Sequence, residues 1–339
     1  MSIRENPSCI HRCIRGSSYL HPFEHSCHSL FLHSWQFLFA FIHTFVARRL
    51  GFRFINPILK TKMKKILVTT DFSENSKAGI LFAIQLSTQY DFKLTFFNVH
   101  FAPPYASEDD ESHKKYEESQ QMEVQNKLSS FVEAVYASNN LTASNMECVV
   151  KVSVLPEPEI REHAVQNNFD FICISTRGAG KFERLLGTNT ANLINHSEVP
   201  IIAVPPNYAM LPVTSVLYAS DLRDYKDEIL KVVEFAQPIS AAIELLHLKS
   251  AIEHDEELKA IEATIKEIAT YHIDFNIKER NPNESLVSDI ETAIENMQPS
   301  MMIMFTNQNR SWFDKIFLSS KSAEYSFNAK VPLLVFSKS

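Results

Sequence analysis

The sequence of 339 residues contains only six glycines, and none follows Gly187. Glycine lets backbone N–H groups approach a phosphate closely, so the part of the chain after Gly187 cannot form a glycine-rich phosphate loop. The sequence also lacks a Gly-x4-Gly-Lys-(Ser/Thr) loop, a His-Glu-x2-His pair and a Gly-x-Ser-x-Gly elbow. These absences exclude P-loop NTPases, metalloproteases with that zinc motif, and α/β-hydrolases.

Outside its first segment the chain carries a net negative charge. Residues 1–62 hold eight Lys/Arg and two Asp/Glu, whereas the remainder holds 25 basic and 38 acidic side chains, a balance of −13. An acidic body repels phosphate backbones, so we expect no nucleic-acid partner. Cys148 and Cys173 lie in apolar strand-like runs and are interpreted as small core residues. This cysteine usage suits a reducing compartment and predicts a cytoplasmic protein.

Residues 1–62 differ in composition from the rest of the chain. Ser29 to Ala47 is a run of 19 residues without a formal charge, but His33, Gln36 and other polar residues interrupt it. Met63 opens the stretch Met-Lys-Lys-Ile-Leu-Val, which is typical of a natural start before a buried strand. We interpret residues 1–62 as a misassigned upstream translation or a disordered extension. A membrane anchor and a structured or metal-binding segment are the alternatives.

From Lys65 onward, short β-branched runs alternate with helical periodicity. The predicted strands of the first half are Ile66–Thr70, Lys93–Val99, Glu147–Leu155, Phe171–Ser175 and Pro200–Val204. Helical segments separate them, and Pro103–Glu118 is predicted as a polar, acidic loop before the longest helix. This order predicts a parallel, doubly wound sheet, with ligands at the carboxyl ends of its strands.

The pattern then repeats. Val216–Asp221 echoes Leu67–Asp71, and Val331–Phe336 echoes Val199–Val204. A repeat of this length indicates duplicated domains rather than a solenoid. We therefore predict an α/β protein of two tandem doubly wound parallel five-stranded sheets of the Rossmann-like type. The predicted domains are 63–209 and 210–339, following the atypical segment 1–62.

Three of the six glycines fall together after the fourth strand, at positions 178, 180 and 187. This stretch joins a strand end to a helix start, where free N–H groups form a natural anion site. Arg177 and Lys181 would add positive charge beside a phosphate. A turn that needs glycine for conformational reasons alone is the alternative reading.

Two motifs carry a family resemblance. Asp71-Phe-Ser-Glu-Asn-Ser follows the first strand, and Ser-Thr-Arg-Gly with Gly-Thr-Asn-Thr-Ala and His196-Ser-Glu-Val-Pro-Ile-Ile-Ala-Val follows the fourth. Together they resemble the universal stress protein family in its tandem two-domain form, over about residues 63–339. The resemblance implies an adenine-nucleotide α-hydrolase-like fold.

The resemblance also implies a nucleotide site in the first domain. Asp71 would contact the ribose and the adenine end, the backbone of Val99 the adenine, and Gly178 and Gly187 the phosphates. The full set of predicted binding residues is Thr70, Asp71, Val99, Ser175, Arg177, Gly178, Gly187, Thr188 and Asn189. No catalytic residue and no metal ligand is predicted.

The sequence departs from the nucleotide-binding pattern Gly-x2-Gly-x9-Gly-(Ser/Thr) at two points. Ser175 stands at the first glycine, which is expected to put a side chain where backbone should approach the ribose. Only eight residues separate Gly178 from Gly187. The second copy keeps Asp221, but its loop, Phe305 to Ser320, has no glycine. We expect the second site to be closed or rebuilt.

The predicted function is a stress-response regulator or sensor that binds ATP or AMP in its first domain, with Mg²⁺ accompanying ATP. The alternative is a protein-interaction module of the same fold that binds no nucleotide. We expect no enzymatic activity, with slow ATP hydrolysis left open.

The resemblance also implies partners. Because fifth strands pair across a two-fold axis in the family, Pro200–Val204 and Val331–Phe336 are expected to form an intramolecular seam. A homodimer and unknown protein partners are left open, and a membrane partner is not expected.

Overall fold

The computed structural model describes residues 63–101, 110–143, 146–176, 188–307 and 331–338. Predictions that concern residues 1–62, and those for Arg177, Gly178 and Gly187, lie outside these ranges. The first half runs β1 Lys64–Thr69, α1 Lys77–Gln89, β2 Phe92–His100, α2 Asp110–Ser138, β3 Glu147–Val152, α3 Pro156–Gln166, β4 Phe171–Ser175, α4 Thr188–His196 and β5 Ile201–Val204. The second runs β6 Ser215–Ala219, α5 Tyr225–Ala236, β7 Ala242–Lys249, α6 Asp255–Ile268, β8 Ile273–Glu279, α7 Leu286–Met297, β9 Met301–Asn307 and β10 Leu333–Lys338.

Two boundaries differ from the sequence prediction by three residues or more. The acidic stretch predicted as a loop through Glu118 is helical from Asp110 onward. An acidic sequence suits the start of a helix, because negative charge near a helix N-terminus is favoured by the helix dipole. The third strand ends at Val152 rather than Leu155. Pro156 begins α3 at its first turn, so the residues just before it serve as the connection.

The strands form one ten-stranded sheet in the order β3-β2-β1-β4-β5-β10-β9-β6-β7-β8. Within each half the neighbouring strands are parallel, and both halves have the same order, counted from the outer edge to the centre. The predicted fold class is therefore confirmed, with the addition that the two five-stranded sheets are continuous. The predicted domain boundary at residue 209 stays a prediction.

Continuity comes from β5 and β10, the only described neighbours in the sheet that run antiparallel. Ile202 lies directly opposite Leu334, flanked by Ala203 opposite Leu333 and Ile201 opposite Val335. All six side chains are at most 2% exposed. The strands that the sequence analysis placed at the seam are thus hydrogen-bonded to each other.

Polar and aromatic contacts next to the seam also join the halves. The Gln89 side-chain amide donates to the carbonyl of Val213 at 2.9 Å and accepts from its N–H at 2.8 Å. The ring of Phe171 meets the ring of Phe235 edge-on, with centroids 5.5 Å apart. Both halves therefore share packing as well as backbone hydrogen bonds.

The core lies on both faces of the sheet. Ile66 and Val68 belong to one buried cluster, whereas Leu67 belongs to the other. This alternation is expected for a central strand whose two faces are both covered by helices. Helices α1, α2, α5 and α6 contribute to the first cluster, and α3, α4 and α7 to the second.

A double-mutant cycle on the seam tests its contribution to stability. Ile202→Ala and Leu334→Ala should each lower the free energy of unfolding by about 2–4 kcal/mol, because each leaves a cavity in a fully buried site. Since the two residues are directly opposite, the double variant should lose less than the sum of the single losses. Urea denaturation of the three variants measures this. Leu230→Ala, at a position 52% exposed on α5, is the matched control and should change little.

Candidate functional site

The candidate site lies at the carboxyl ends of β1, β2 and β4. From β1 the chain proceeds to β2 on one side, and later places β4 on the other side. Between β1 and β4 the direction of winding therefore reverses, and such a switch point opens a crevice at the strand ends.

The turn after β1 holds Asp71 at this edge. Phe72 has a φ of 62°, a left-handed conformation that costs a bulky residue about 1–2 kcal/mol. The Asp71 carboxylate accepts hydrogen bonds from the Ser73 N–H at 3.0 Å and from the Ser73 hydroxyl at 2.6 Å. Asp71 itself is exposed. Its carboxylate is thus fixed in orientation and still reachable by a ligand.

The Thr70 hydroxyl stabilises this turn by hydrogen bonds. It lies 2.7 Å from the Ser76 hydroxyl and accepts from the Phe72 N–H at 3.1 Å. Thr70 is only 7% exposed. The predicted binding residue Thr70 therefore positions Asp71, and its side chain is occupied within the protein.

Val99 is the penultimate residue of β2 and is half-buried. The Thr70 N–H donates to the carbonyl of Phe97 at 3.0 Å, so the peptide groups of Phe97 point towards β1. Peptide groups alternate in direction along a strand. Those of Val99 therefore point the same way, into the space beyond the end of β1. This is the position that the sequence analysis assigned to the adenine end.

Ser175 ends β4, and its side chain is turned inward. Its hydroxyl donates to the carbonyl of Asn75 at 2.7 Å, and the residue is 6% exposed. This corrects the expectation that the Ser175 side chain occupies ligand space. The hydroxyl instead ties the end of β4 to the turn after β1.

Close packing explains the position of Ser175. A Cβ atom on Gly79 of α1 would lie 3.2 Å from the backbone nitrogen of Ser175. Glycine therefore allows α1 to approach the end of β4 closely. The Cys173 thiol, fully buried, donates to the Gly79 carbonyl at 3.3 Å, which confirms Cys173 as a core residue.

The remaining predicted residues belong to the loop that follows β4. Arg177, Gly178 and Gly187 lie outside the described residues. Helix α4 begins at Thr188 and includes Asn189, so their backbone forms the first turn of this helix. The first N–H groups of a helix have no intrahelical acceptor, as an anion site requires.

Asn98, the residue that follows Phe97 on β2, was not predicted from the sequence. Its side-chain Nδ2 donates to the carbonyl of Thr70 at 2.7 Å. Its Oδ1 is buried and has no hydrogen-bond partner among the described residues. An orphaned buried acceptor costs about 1–3 kcal/mol, and such costs concentrate at functional sites. An asparagine in a buried strand gives no signal of this in the sequence.

The second half repeats the same turn. Leu222 has a φ of 58°, and its N–H donates to the Ser220 hydroxyl at 3.0 Å, as Phe72 does to Thr70. Here, however, Arg223 replaces the serine, and its Nε lies 3.8 Å from an oxygen of Asp221. The Asp221 carboxylate therefore faces a cation of its own chain.

The position equivalent to Asn98 is His247, by strand register with β6. His247 is 3% exposed, and its ring nitrogens lie 3.0 Å from the carbonyl of Ser220 and 3.1 Å from the carboxylate of Glu253. Glu253 also accepts from the N–H of Ser250. His247 is therefore a core histidine whose two ring nitrogens are both bonded within the chain. The orphaned acceptor of the first half thus has no counterpart at this position.

A second polar group fills the core beneath this edge. The Tyr218 hydroxyl donates to the Glu228 carboxylate and lies 2.9 Å from the Ser220 hydroxyl. Burial, and then the charge of Glu228, raise the pKa of Tyr218. The second half therefore fills with larger side chains the place where the first has the Thr70–Ser76 hydroxyl pair.

Metal and membrane features are absent from the part of the chain that the structure describes. No group of three or more His, Cys, Asp or Glu residues within it could hold a metal ion. None of its helices combines the length and the apolar character that crossing a membrane requires. The uncharged run at Ser29–Ala47 lies outside it.

Comparison with known families gives one match. Residues 62–205 match the model described as the universal stress protein family. No curated protein sequence matches this chain.

Solved structures match over both halves. A universal stress protein from Archaeoglobus fulgidus DSM 4304 is 18% identical, with a TM-score of 0.60, over 82% of this chain and 100% of that one. A putative universal stress protein from Pseudomonas aeruginosa UCBPP-PA14 is 11% identical, with a TM-score of 0.50, over 81% and 94%. These likenesses show the fold of both halves. A universal stress protein solved in complex with cAMP aligns with 42% of this chain at 20% identity, with a TM-score of 0.32.

The His247–Glu253 contact predicts a pH-dependent contribution to stability. Burial alone would raise the pKa of Glu253, but the hydrogen bonds from Ser250 and the interaction with His247 outweigh it and lower that pKa below 4.5. The contribution is therefore present above about pH 4.5 and lost as the pH falls through the lowered value. Glu253→Gln should cost about 1 kcal/mol near pH 7, and less near pH 3.5.

Urea denaturation of the wild type and the variant at the two pH values measures this difference. Glu267→Gln, at an exposed position of α6, is the control. A loss that is the same at both pH values would contradict the assigned role of the Glu253 charge.

Proposed function

Residues 62–205 belong to the universal stress protein family, and from this premise we propose that the chain is a stress-response regulator whose first domain binds an adenine nucleotide. The ligand would lie at the carboxyl ends of β1, β2 and β4. The second domain would act as the structural partner of the first and bind no nucleotide.

The geometry of Asp71 and Val99 supports the adenosine part of this site. Asp71 presents an oriented, exposed carboxylate, which is the group that accepts hydrogen bonds from ribose hydroxyls. The peptide groups of Val99 offer a donor and an acceptor beyond the end of β1, which suits the edge of a purine ring. Ser175 is turned inward and leaves this space clear.

The loop after β4 and the first turn of α4 would hold the phosphates. Gly178 and Gly187 would supply close backbone approach, Thr188 and Asn189 the helix N-terminus, and Arg177 a positive charge. Mg²⁺ would accompany ATP as a counter-ion of the phosphates, whereas AMP needs none.

The contrast between the halves is the observation that carries the proposal of a single site. Among the described residues, the first half leaves the buried Asn98 oxygen without a hydrogen-bond partner. The second half pairs Asp221 with Arg223 and bonds both nitrogens of His247. The buried acceptor left for a ligand in the first copy is thus replaced in the second by a histidine whose ring nitrogens are both bonded within the chain.

A protein-interaction module without nucleotide is the second candidate. The interval of eight residues between Gly178 and Gly187 favours it, because the family's nucleotide-binding members have nine. In either case we propose a binding protein of the cytoplasm rather than an enzyme. Slow ATP hydrolysis is tested by phosphate release from the same preparation.

Calorimetric titration of the full chain with ATP plus Mg²⁺, and with AMP, tests the proposal. One site per chain is expected. Asp71→Ala should weaken binding by about 10- to 100-fold, because it removes a charge-assisted hydrogen bond. Asp221→Ala, the equivalent change in the second domain, is the matched control and should leave the affinity unchanged.

Two results would contradict the proposal. Absence of binding at millimolar nucleotide would favour the interaction module. Binding that Asp221→Ala weakens as much as Asp71→Ala would mean that the second domain also holds a site.

A further inference from the structure

The two outer edges of the ten-stranded sheet, β3 and β8, are equivalent strands of the two copies. The Ser153 N–H donates to the carbonyl of His100, and the Arg280 N–H donates to that of Lys249. Peptide groups alternate along a strand, so those of Cys148 and Val150 on β3 point outward. By the same count, the peptide groups of Phe275 and Ile277 on β8 point outward, away from β7.

The outer edge of β3 is covered by its own domain. Gln125 of α2 donates its side-chain amide to the carbonyl of Cys148 at 2.7 Å, and Gln121 donates to that of Val150 at 3.1 Å. Both outward carbonyls therefore have donors. Covering a sheet edge in this way prevents another strand from adding to it.

The outer edge of β8 has no such cover among the described residues: no side chain of theirs donates to the carbonyls of Phe275 or Ile277. The helices differ in length, 29 residues for α2 and 14 for α6. Leu128 and Val135 of α2 are buried with the same spacing as Leu258 and Ile265 of α6. Aligned on these pairs, Gln121 corresponds to a position before α6 begins.

The residue aligned with Gln125 is Asp255, the first residue of α6. A carboxylate cannot donate to a carbonyl, and Asp255 instead pairs with Lys249. The glutamine side chains that cover β3 thus have no equivalent at β8 among the described residues.

The five central residues of β8, Asp-Phe-Asn-Ile-Lys, are complementary to themselves when they run antiparallel. With Asn276 opposite its own copy, Asp274 faces Lys278, and Phe275 faces Ile277, each pair occurring twice. In this register the outward peptide groups of Phe275 lie opposite those of Ile277, so they can exchange hydrogen bonds. Opposite charges and apolar pairs directly across an antiparallel ladder are both stabilising.

Exposure and charge on β8 fit the same arrangement. Ile277 is 39% exposed, so an apolar side chain lies open beside the edge. On the inner side, Asp274 lies opposite Glu244 of β7. Burial raises the pKa of Glu244, the charge of Asp274 raises it further, and the chain's own Lys278 lowers it. Asp274 also lies 3.1 Å from the exposed ring of His272. A second Lys278, supplied by another copy of the chain, would add to this favourable interaction.

From these observations we propose that β8 is a homodimerisation edge, where a second copy of this chain adds its own β8 in antiparallel register centred on Asn276. Both copies then share one extended sheet, related by a two-fold axis perpendicular to it. The β5–β10 pair already joins the two halves of each chain by the same kind of antiparallel pairing.

Sedimentation velocity of the full chain over a range of micromolar concentrations tests this interface. The wild type should show a concentration-dependent dimer. Lys278→Glu should weaken it by about tenfold or more, because two attractive pairs become repulsive. The double variant Asp274→Lys with Lys278→Asp reverses both charges, keeps them complementary, and should restore the dimer.

Ile277→Pro tests the backbone bonds separately. Its N–H points outward, and edge strands accept proline at such positions, so the chain should remain folded by circular dichroism while the dimer is lost. A chain that stays monomeric at high micromolar concentration would overturn the proposal. So would a dimer that neither Lys278→Glu nor Ile277→Pro weakens.

Discussion

The antiparallel pairing of β5 with β10 is the contact on which the rest of the structure depends. Each strand presents a row of buried aliphatic side chains. In either half alone, this strand would be an unpaired edge of the sheet. Exposed apolar edges invite aggregation, so two halves that cover each other remove the most hazardous edge of both. The pairing also turns the halves in opposite directions. The carboxyl ends of β1 and β6 therefore lie at opposite ends of the strands, and the two candidate sites cannot share one ligand.

Because the two candidate sites lie at opposite ends of the strands, the two copies could diverge independently. Among the described residues, the first site has a left-handed residue at Phe72 and a buried oxygen on Asn98 without a hydrogen-bond partner. Both features cost stability. The second site keeps the left-handed turn at Leu222 but bonds both ring nitrogens of His247, at the position equivalent to Asn98. One copy thus retains costs that a ligand could offset, whereas the other resembles a site rebuilt for stability.

The order of elements could be predicted from the sequence because buried parallel strands and amphipathic helices leave distinct periodicities. Asp71 and the glycine loop could be predicted because strand ends and glycines mark the ligand edge of such sheets. Other features depend on contacts between distant parts of the chain. The inward hydroxyl of Ser175 depends on the carbonyl of Asn75, and the two glutamines that cover β3 depend on the length of α2. No local pattern encodes either contact.

The central claim is that the first domain carries an adenine nucleotide, and the most direct test is to look for it in the protein as purified. The full-length chain would be heat-denatured, and the released small molecules separated by chromatography against ATP, ADP, AMP and cAMP standards. We expect one adenine nucleotide at close to one equivalent per chain. A preparation that releases none, and still takes up none after incubation with millimolar ATP or AMP, would contradict it and leave a protein-interaction role for both domains.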